Sequence, residues 1–364
     1  MTSPTLSAMS STAPVRYDPA VETFRDDEAQ TQTDLVATLV DMEKTMAEHT
    51  GHAMRAVHAK SHGVLRGELQ VLDGLPEPLA QGLFAAARGY PVVMRLSTPP
   101  AEMLDDRVSL PRGMAVKVLG VEGPRVEGSE GDTTQDFLFV DGPVFAAPDA
   151  KGFLRSLKLL AGTTDKAPNA KRVLSSVLQG VEKVVEAVGG KSGTLIAMGG
   201  HPETHPLGAT FFTQVPIRYG NHIAKLQLAP VSPALLALEN APIDLTDKPD
   251  GTREAVTDFM RQQPAVWELR VQLCVDLERM PVEDASVEWP QSLSPFIAVA
   301  RITADAQEAW SDALALEVDD GMAFNPWHAL AAHRPLGNVM RARKVAYAAS
   351  SKFRGEHNGC PMHR

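Results

Sequence analysis

Hydrophobic positions first repeat with the period of a helix and then with the period of a strand. Leu35, Leu39, Met42 and Met46 are spaced as on one helical face, which predicts a helix over 31–48. Short runs rich in β-branched residues follow, separated by Gly or Pro turns. They predict strands over 64–72, 91–97, 114–119 and 136–140. The first half of the chain is therefore expected to form a helix and then several strands.

The second half begins with another helical pattern. Segment 151–189 has helical spacing and ends in glycines, which predicts a helical insertion. Strands are expected again over 209–218, 221–230, 265–277 and 296–302, and a helix over 329–352 after Pro335. Because strands cluster on both sides of the insertion, the pattern predicts an α+β fold with an antiparallel sheet or barrel. We expect a flexible N-terminal extension over 1–30 and one domain over 31–364.

Composition and charge narrow the classes of function. The formal net charge of −10 argues against nucleic acid or an anionic membrane as the main partner, since both bind clustered Lys and Arg. The two cysteines, Cys274 and Cys360, cannot build a disulfide framework, which favours a reducing compartment. The sequence has no apolar run long enough to span a membrane and no secretion signal at its start. We therefore expect a cytoplasmic protein without a membrane span.

Two histidines in the segment HPETHPLG raise the question of a metal site. His201 and His205 have a spacing that metal ligands can adopt, but no third ligand stands near them in the sequence. The simpler interpretation is a loop with exposed imidazoles.

Four other segments carry chemistry together. His58 lies in RAVHAK, just before a predicted strand; RLS at 95–97 is followed by PRGMAVKV at 111–118; and TTQDFLFVDGPVF spans 133–145. Near the C-terminus Arg343 precedes Tyr347 by four residues. These segments resemble those of the catalases, in the same order, from about residue 50 to 354. The resemblance implies a catalase-like antiparallel β-barrel core, a helical insertion, a C-terminal proximal helix and bound haem b. The short chain looks like the small catalase-related haem proteins.

The resemblance also implies roles for the residues nearest the iron. Tyr347 would be the iron ligand, and Arg343, one helical turn earlier, would lower the pKa of its phenol. His58 would move a proton between the two peroxide oxygens, while Ser97 fixes its tautomer. The alternative is a half-buried Tyr, a surface Arg and ordinary polar side chains.

Further positions match residues that surround haem in the family. Arg55, Arg95 and Arg354 match the propionate-binding arginines, since a guanidinium suits a carboxylate. Phe137 and Phe145 match aromatic residues near the haem, although core packing is an alternative for each.

One position departs from the family pattern. Thr133, or Thr134 or Gln135 if the register slips, stands where catalases have an Asn that helps the distal His to orient peroxide, so fast dismutation is in doubt. We therefore expect a haem-dependent peroxidase with weak catalase activity. It would reduce hydrogen peroxide or organic hydroperoxides through ferryl iron, with an organic electron donor, as a homo-oligomer by analogy.

Two other functions stay open. Catalase-related allene oxide synthases rearrange fatty-acid hydroperoxides, but they carry Thr before the distal His, where this chain has Val57. Non-enzymatic haem storage or sensing is the third function, and a distal acid–base group argues against it.

Overall fold

A closed antiparallel barrel forms the centre of the protein. The computed structural model describes residues 12–99, 101–161 and 203–359. Its first four strands, each antiparallel to the next, are β1 (Lys60–Val71), β2 (Gly89–Thr98), β3 (Gly113–Leu119) and β4 (Thr134–Val140). The remaining five are β5 (Phe211–Phe212), β6 (Ile217–Tyr219), β7 (His222–Pro230), β8 (Ala265–Leu273) and β9 (Ile297–Ala304).

The strand order is β5-β4-β3-β2-β1-β9-β8-β7-β6, and a pairing of β5 with β7 closes the ring. Eight strands therefore form the barrel, and β6 pairs with β7 beside it. Within the described residues, six α-helices accompany these strands. The predicted α+β fold with an antiparallel barrel is confirmed.

Side chains alternate between the inside and the outside of the barrel because successive residues of a strand point to opposite faces. On β2, Met94 and Leu96 join the barrel core, whereas Arg95 and Ser97 point outward. Cross-strand partners share a face, so the outer row containing Ser97 continues through Gly113 to Val140. The polar residues of β2 thus face the elements packed around the barrel.

The helices are α1 (Glu28–Thr50), α2 (Ala150–Ala161), α3 (Pro233–Leu236), α4 (Gly251–Gln262), α5 (Asp312–Leu314) and α6 (Asn338–Asn358). Helices α1, α2 and α6 share an apolar cluster that includes Leu35, Leu154 and Ala346. Ala56, just before His58, belongs to the same cluster, so the segment that carries His58 packs against α6. A π-helical turn, Ala315–Asp320, follows α5.

An ionic cluster fixes the beginning of α6 to the N-terminal part of the chain. Arg341 bonds to the carboxylates of Glu22 (2.9 Å), Glu28 (2.7 Å) and Glu283 (3.0 Å). Upstream, the Val15 N–H donates to the Cys274 carbonyl (2.8 Å). Residues 12–27 thus lie against the domain, while the division of the chain at residue 30 stays a prediction.

The structure departs from the expected elements at several places. The strand predicted over 209–218 is divided into β5 and β6, because Gln214 has a φ of 61° and ends the extended conformation. Helix α4 was not predicted. Of the insertion predicted over 151–189, the structure describes helix α2, and the rest lies outside the described residues.

Candidate functional site

His58 lies in the loop that leads into β1 and has an unusual backbone conformation. Its φ is 56°, a left-handed value that costs a residue other than glycine roughly 1–2 kcal/mol. The guanidinium of Arg95 holds this turn by donating to the His58 carbonyl (2.9 Å) and the Ala59 carbonyl (3.1 Å). Gly113 faces the ring, because a Cβ there would lie 2.6 Å from His58 Cε1. The loop and β3 together determine where the imidazole stands.

The imidazole of His58 is neutral at neutral pH. Burial lowers its pKa to about 4, and the positive charges of Arg95 and Arg343 act in the same direction. Ser97 Oγ lies 3.3 Å from His58 Nδ1, so it can fix the tautomer through one ring nitrogen. The negative charge of Asp141 opposes these effects and raises the pKa of His58. The arrangement suits a group that takes up a proton and later returns it.

Tyr347 and Arg343 are neighbours on one face of α6, as their spacing predicts. The Arg343 guanidinium donates to the Tyr347 hydroxyl oxygen (2.9 Å) and lies 5.2 Å from the ring centroid. The same guanidinium lowers the pKa of His58. Arg343 thus contacts the phenol and acts electrostatically on the imidazole.

The three arginines predicted to bind propionates also come together, around a carboxylate that the sequence did not single out. Arg95 donates to Asp319 Oδ1 (2.5 Å), as does Arg55 (3.3 Å), and Arg354 donates to the Asp319 carbonyl (3.1 Å). The next residue, Asp320, bonds to His52 (2.9 Å). Asp319 lies at the end of the π-helical turn. No local pattern marks it, because its partners come from distant parts of the chain.

Thr133 is not brought to His58, which corrects its predicted role. It is exposed, and its carbonyl accepts from the Val121 N–H (2.8 Å). His58 lies against Gly113, which pairs with Val140 at the opposite end of β4. At about 3.3 Å per residue, the two ends of β4 are roughly 20 Å apart.

Phe137 does not reach the outer face beside Ser97. Phe137 belongs to the barrel core, 6.3 Å from Phe84 between ring centroids, because its cross-strand partner Val116 points inward. This position corrects the predicted haem contact in favour of core packing. Phe145 is half-buried and packs near Met340 on α6, 5.1 Å from Phe153.

The candidate metal site at the two histidines also changes. His205 is buried, with Nε2 3.2 Å from the Ala255 carbonyl, so the expected exposed imidazole is wrong for this residue. His201 lies outside the described residues. Within the described ranges, no group of three or more His, Cys, Asp or Glu side chains could hold a metal ion.

None of the helices in the described part of the chain has the length and apolar content needed to cross a bilayer.

Solved catalases have a similar fold. A fungal catalase superposes with a TM-score of 0.59 at 17% identity, covering 85% of this chain and 61% of its own. Catalase A from Saccharomyces cerevisiae superposes with a TM-score of 0.60 at 17% identity, covering 85% of this chain and 63% of its own. A bacterial catalase superposes with a TM-score of 0.59 at 16% identity, covering 98% of this chain and 66% of its own. The chain thus spans less than two thirds of the length of each.

No family model matches the chain, and no curated protein matches it significantly. Identities of 16–17% carry the likeness of fold alone. The chain has the fold of the catalases.

Proposed function

We propose that the protein is a haem-dependent peroxidase with weak catalase activity, which reduces hydrogen peroxide or organic hydroperoxides. One observation carries the proposal: the Arg343 guanidinium donates to the Tyr347 hydroxyl (2.9 Å), and Ala56, two residues before His58, packs in one cluster with Ala346 beside Tyr347. A phenol and a neutral imidazole would thereby belong to one site. The catalase fold supports the assignment to an oxidoreductase.

The residues fit a haem group. Tyr347 would supply its oxygen to the iron, and the Arg343 guanidinium donates a hydrogen bond to that same oxygen. Arg55, Arg95 and Arg354 would hold the propionates. Arg354 Nε is buried and has no hydrogen-bond partner among the described residues, as expected of a donor reserved for an added carboxylate. Phe145 would pack at the side of α6.

His58 would transfer the proton between the two oxygens of the substrate. A neutral imidazole can take the proton from the inner oxygen of a hydroperoxide and return it to the outer oxygen, so that the leaving group departs as water or an alcohol. Arg95 holds the loop and Ser97 contacts Nδ1, so Nε2 would carry out this transfer. Bound haem would supply the electrons for O–O cleavage, and an organic donor would restore them.

Thr133 no longer supports weak catalase activity, because it lies at the far end of β4. The rate of oxygen release tests this part of the proposal. A homo-oligomer and a cytoplasmic location also remain predictions.

The test is to load the purified protein with haem and add hydrogen peroxide, cumene hydroperoxide or a fatty-acid hydroperoxide, with and without guaiacol. Turnover that depends on guaiacol is expected, and oxygen release should be slow. Rapid oxygen release would identify a catalase, and conversion of the lipid without reductant would identify an isomerase. If no substrate turns over while haem binds, the enzyme proposal is wrong and haem storage or sensing replaces it.

A further inference from the structure

A buried carboxyl group lies at the junction of α1, α6 and the segment before His58. Glu43 on α1 is 0% exposed. Its Oε1 accepts a hydrogen bond from the Ser350 hydroxyl on α6, and the Ala56 N–H also bonds to the carboxylate. Its other oxygen, Oε2, is buried without a hydrogen-bond partner in the described ranges. Glu43 therefore joins the helix of Tyr347 to the segment that carries Arg55 and His58.

Glu43 also acts on the arginine cluster through Arg354. Arg354 lies one helical turn after Ser350 and is 5% exposed. Burial lowers the pKa of Arg354 to about 10, and among its neighbouring charges the carboxylate of Glu43 opposes this most strongly. Without the negative charge of Glu43, less of the positive charge of the Arg354 guanidinium would be compensated by its neighbours.

When Glu43 is ionised, the charges around this cluster balance. The guanidinium groups are those of Arg55, Arg95 and Arg354, and the facing carboxylates are those of Asp319, Asp320 and Glu43. His52, half-exposed, lies beside Asp320. A propionate added to this set would give it a net negative charge in a poorly solvated place, which is costly unless a carboxylate gains a proton.

Glu43 is the carboxylate that can take up this proton. Burial raises its pKa to about 7, despite the hydrogen bond from Ser350 and the charge of Arg354. Asp319 differs: burial raises its pKa, but Arg95 and Arg55 outweigh this and hold the pKa below its usual value. Asp319 therefore stays ionised near neutral pH, whereas Glu43 changes its charge there.

We propose that Glu43 is a positioning residue for the prosthetic group, which accepts a proton from solvent when a propionate carboxylate binds to the arginine cluster. This inference rests on the proposed haem site. Glu43 acts through Arg354 and Ser350 and does not itself contact the propionate. Haem affinity is then coupled to pH through one buried carboxyl group.

The experiment is a titration of the apoprotein with ferric haem at several pH values between 6 and 8.5, followed by absorbance. Above the pKa of Glu43, binding must take up one proton, so the affinity of the wild type should fall by about tenfold per pH unit relative to Glu43→Gln. A neutral Gln resembles the protonated carboxyl and needs no proton. Glu48→Gln, an exposed position on the same helix, is the matched control and should keep the wild-type slope.

Ser350→Ala provides a second, independent variant. The Ser350 hydroxyl lowers the pKa of Glu43, so its removal should move the onset of the pH dependence to higher pH. Thermal unfolding of each apoprotein establishes that the variants fold. If Glu43→Gln does not fold, the test is decided by the pH at which the haem affinity of Ser350→Ala begins to fall.

Equal slopes in the wild type and Glu43→Gln, or an unmoved onset in Ser350→Ala, would overturn this inference and leave the proposed haem site intact. Absence of haem binding by the wild type would overturn both.

Discussion

The space beside Gly113 provides a direct test of the position of His58. An added Cβ would lie 2.6 Å from His58 Cε1 and 2.7 Å from Nδ1. Carbon atoms in contact prefer about 3.5–4.0 Å, so in Gly113→Ala the ring must move by about 1 Å. The φ of Gly113 is not in the left-handed region, so alanine fits the backbone there. The substitution should displace the imidazole and leave the fold in place.

The displacement should also disrupt the 3.3 Å contact between Ser97 and His58. A misplacement of about 1 Å can cost roughly 100-fold in rate, whereas overpacking of this kind should lower the free energy of unfolding by about 1 kcal/mol. The assay is the stopped-flow rate at which hydrogen peroxide reacts with the haem-loaded variant, together with its unfolding temperature. Gly131→Ala, which has no atom within 4 Å of the added Cβ, is the control. A fully haem-loaded Gly113→Ala that reacts at the rate of the control would refute this reasoning.

Three further predictions concern the ligand, the base and the fold. Tyr347→Phe should lose the ferric–phenolate absorption and most of the bound haem, because the iron loses its anionic oxygen; an unchanged spectrum would exclude Tyr347 as the ligand. The rate of reaction with peroxide should stay constant from pH 8 to about 5 and fall as pH drops through about 4, where His58 becomes protonated, and His58→Gln should be slow throughout. A fall already near pH 6.5 would contradict a depressed pKa for His58. Arg341→Ala leaves the buried Glu28 without its cationic partner and leaves Glu22 with Arg334 alone, so a urea titration should show a loss of about 3–5 kcal/mol in the free energy of unfolding. Arg261→Ala, at an exposed ion pair, should cost less than about 1 kcal/mol, and equal losses would contradict the importance of burial.

Local sequence patterns predict those elements whose structure depends on the period of neighbouring residues. The helical spacing from Leu35 to Met46 predicts the buried face of α1, and the four-residue spacing of Arg343 and Tyr347 predicts their contact. Strand β2 lies within two residues of its expected limits at either end. In each of these elements, the residues along the segment follow a single period, either that of a helix or that of a strand.

Long-range partners explain what the sequence did not predict. Helix α1 begins at Glu28, three residues early, where Glu28 is buried against Arg341 from the other end of the chain. Asp319 is one acidic residue among several until Arg55 and Arg95 converge on it. Glu43 interrupts an apolar face of α1, and only the packing of α6 supplies Ser350 and Arg354 beside it. Each of these contacts joins residues more than two hundred positions apart.

The structure does not place Phe137 and Thr133 where the motif match predicts them, and the reason lies in the geometry of one strand. Matching a motif assigns positions along the chain, but the face and the end of the strand decide what a side chain can reach. Counting across the ladder from Ser97 through Gly113 to Val140 puts even-numbered residues of β4 on the outer face, so Leu138 faces outward and Phe137 inward. The same count puts Val140 beside His58 and Thr133 at the distant end. Residues that act with His58 are therefore to be sought near Val140 and Asp141, and Asp141 already acts on the pKa of its imidazole.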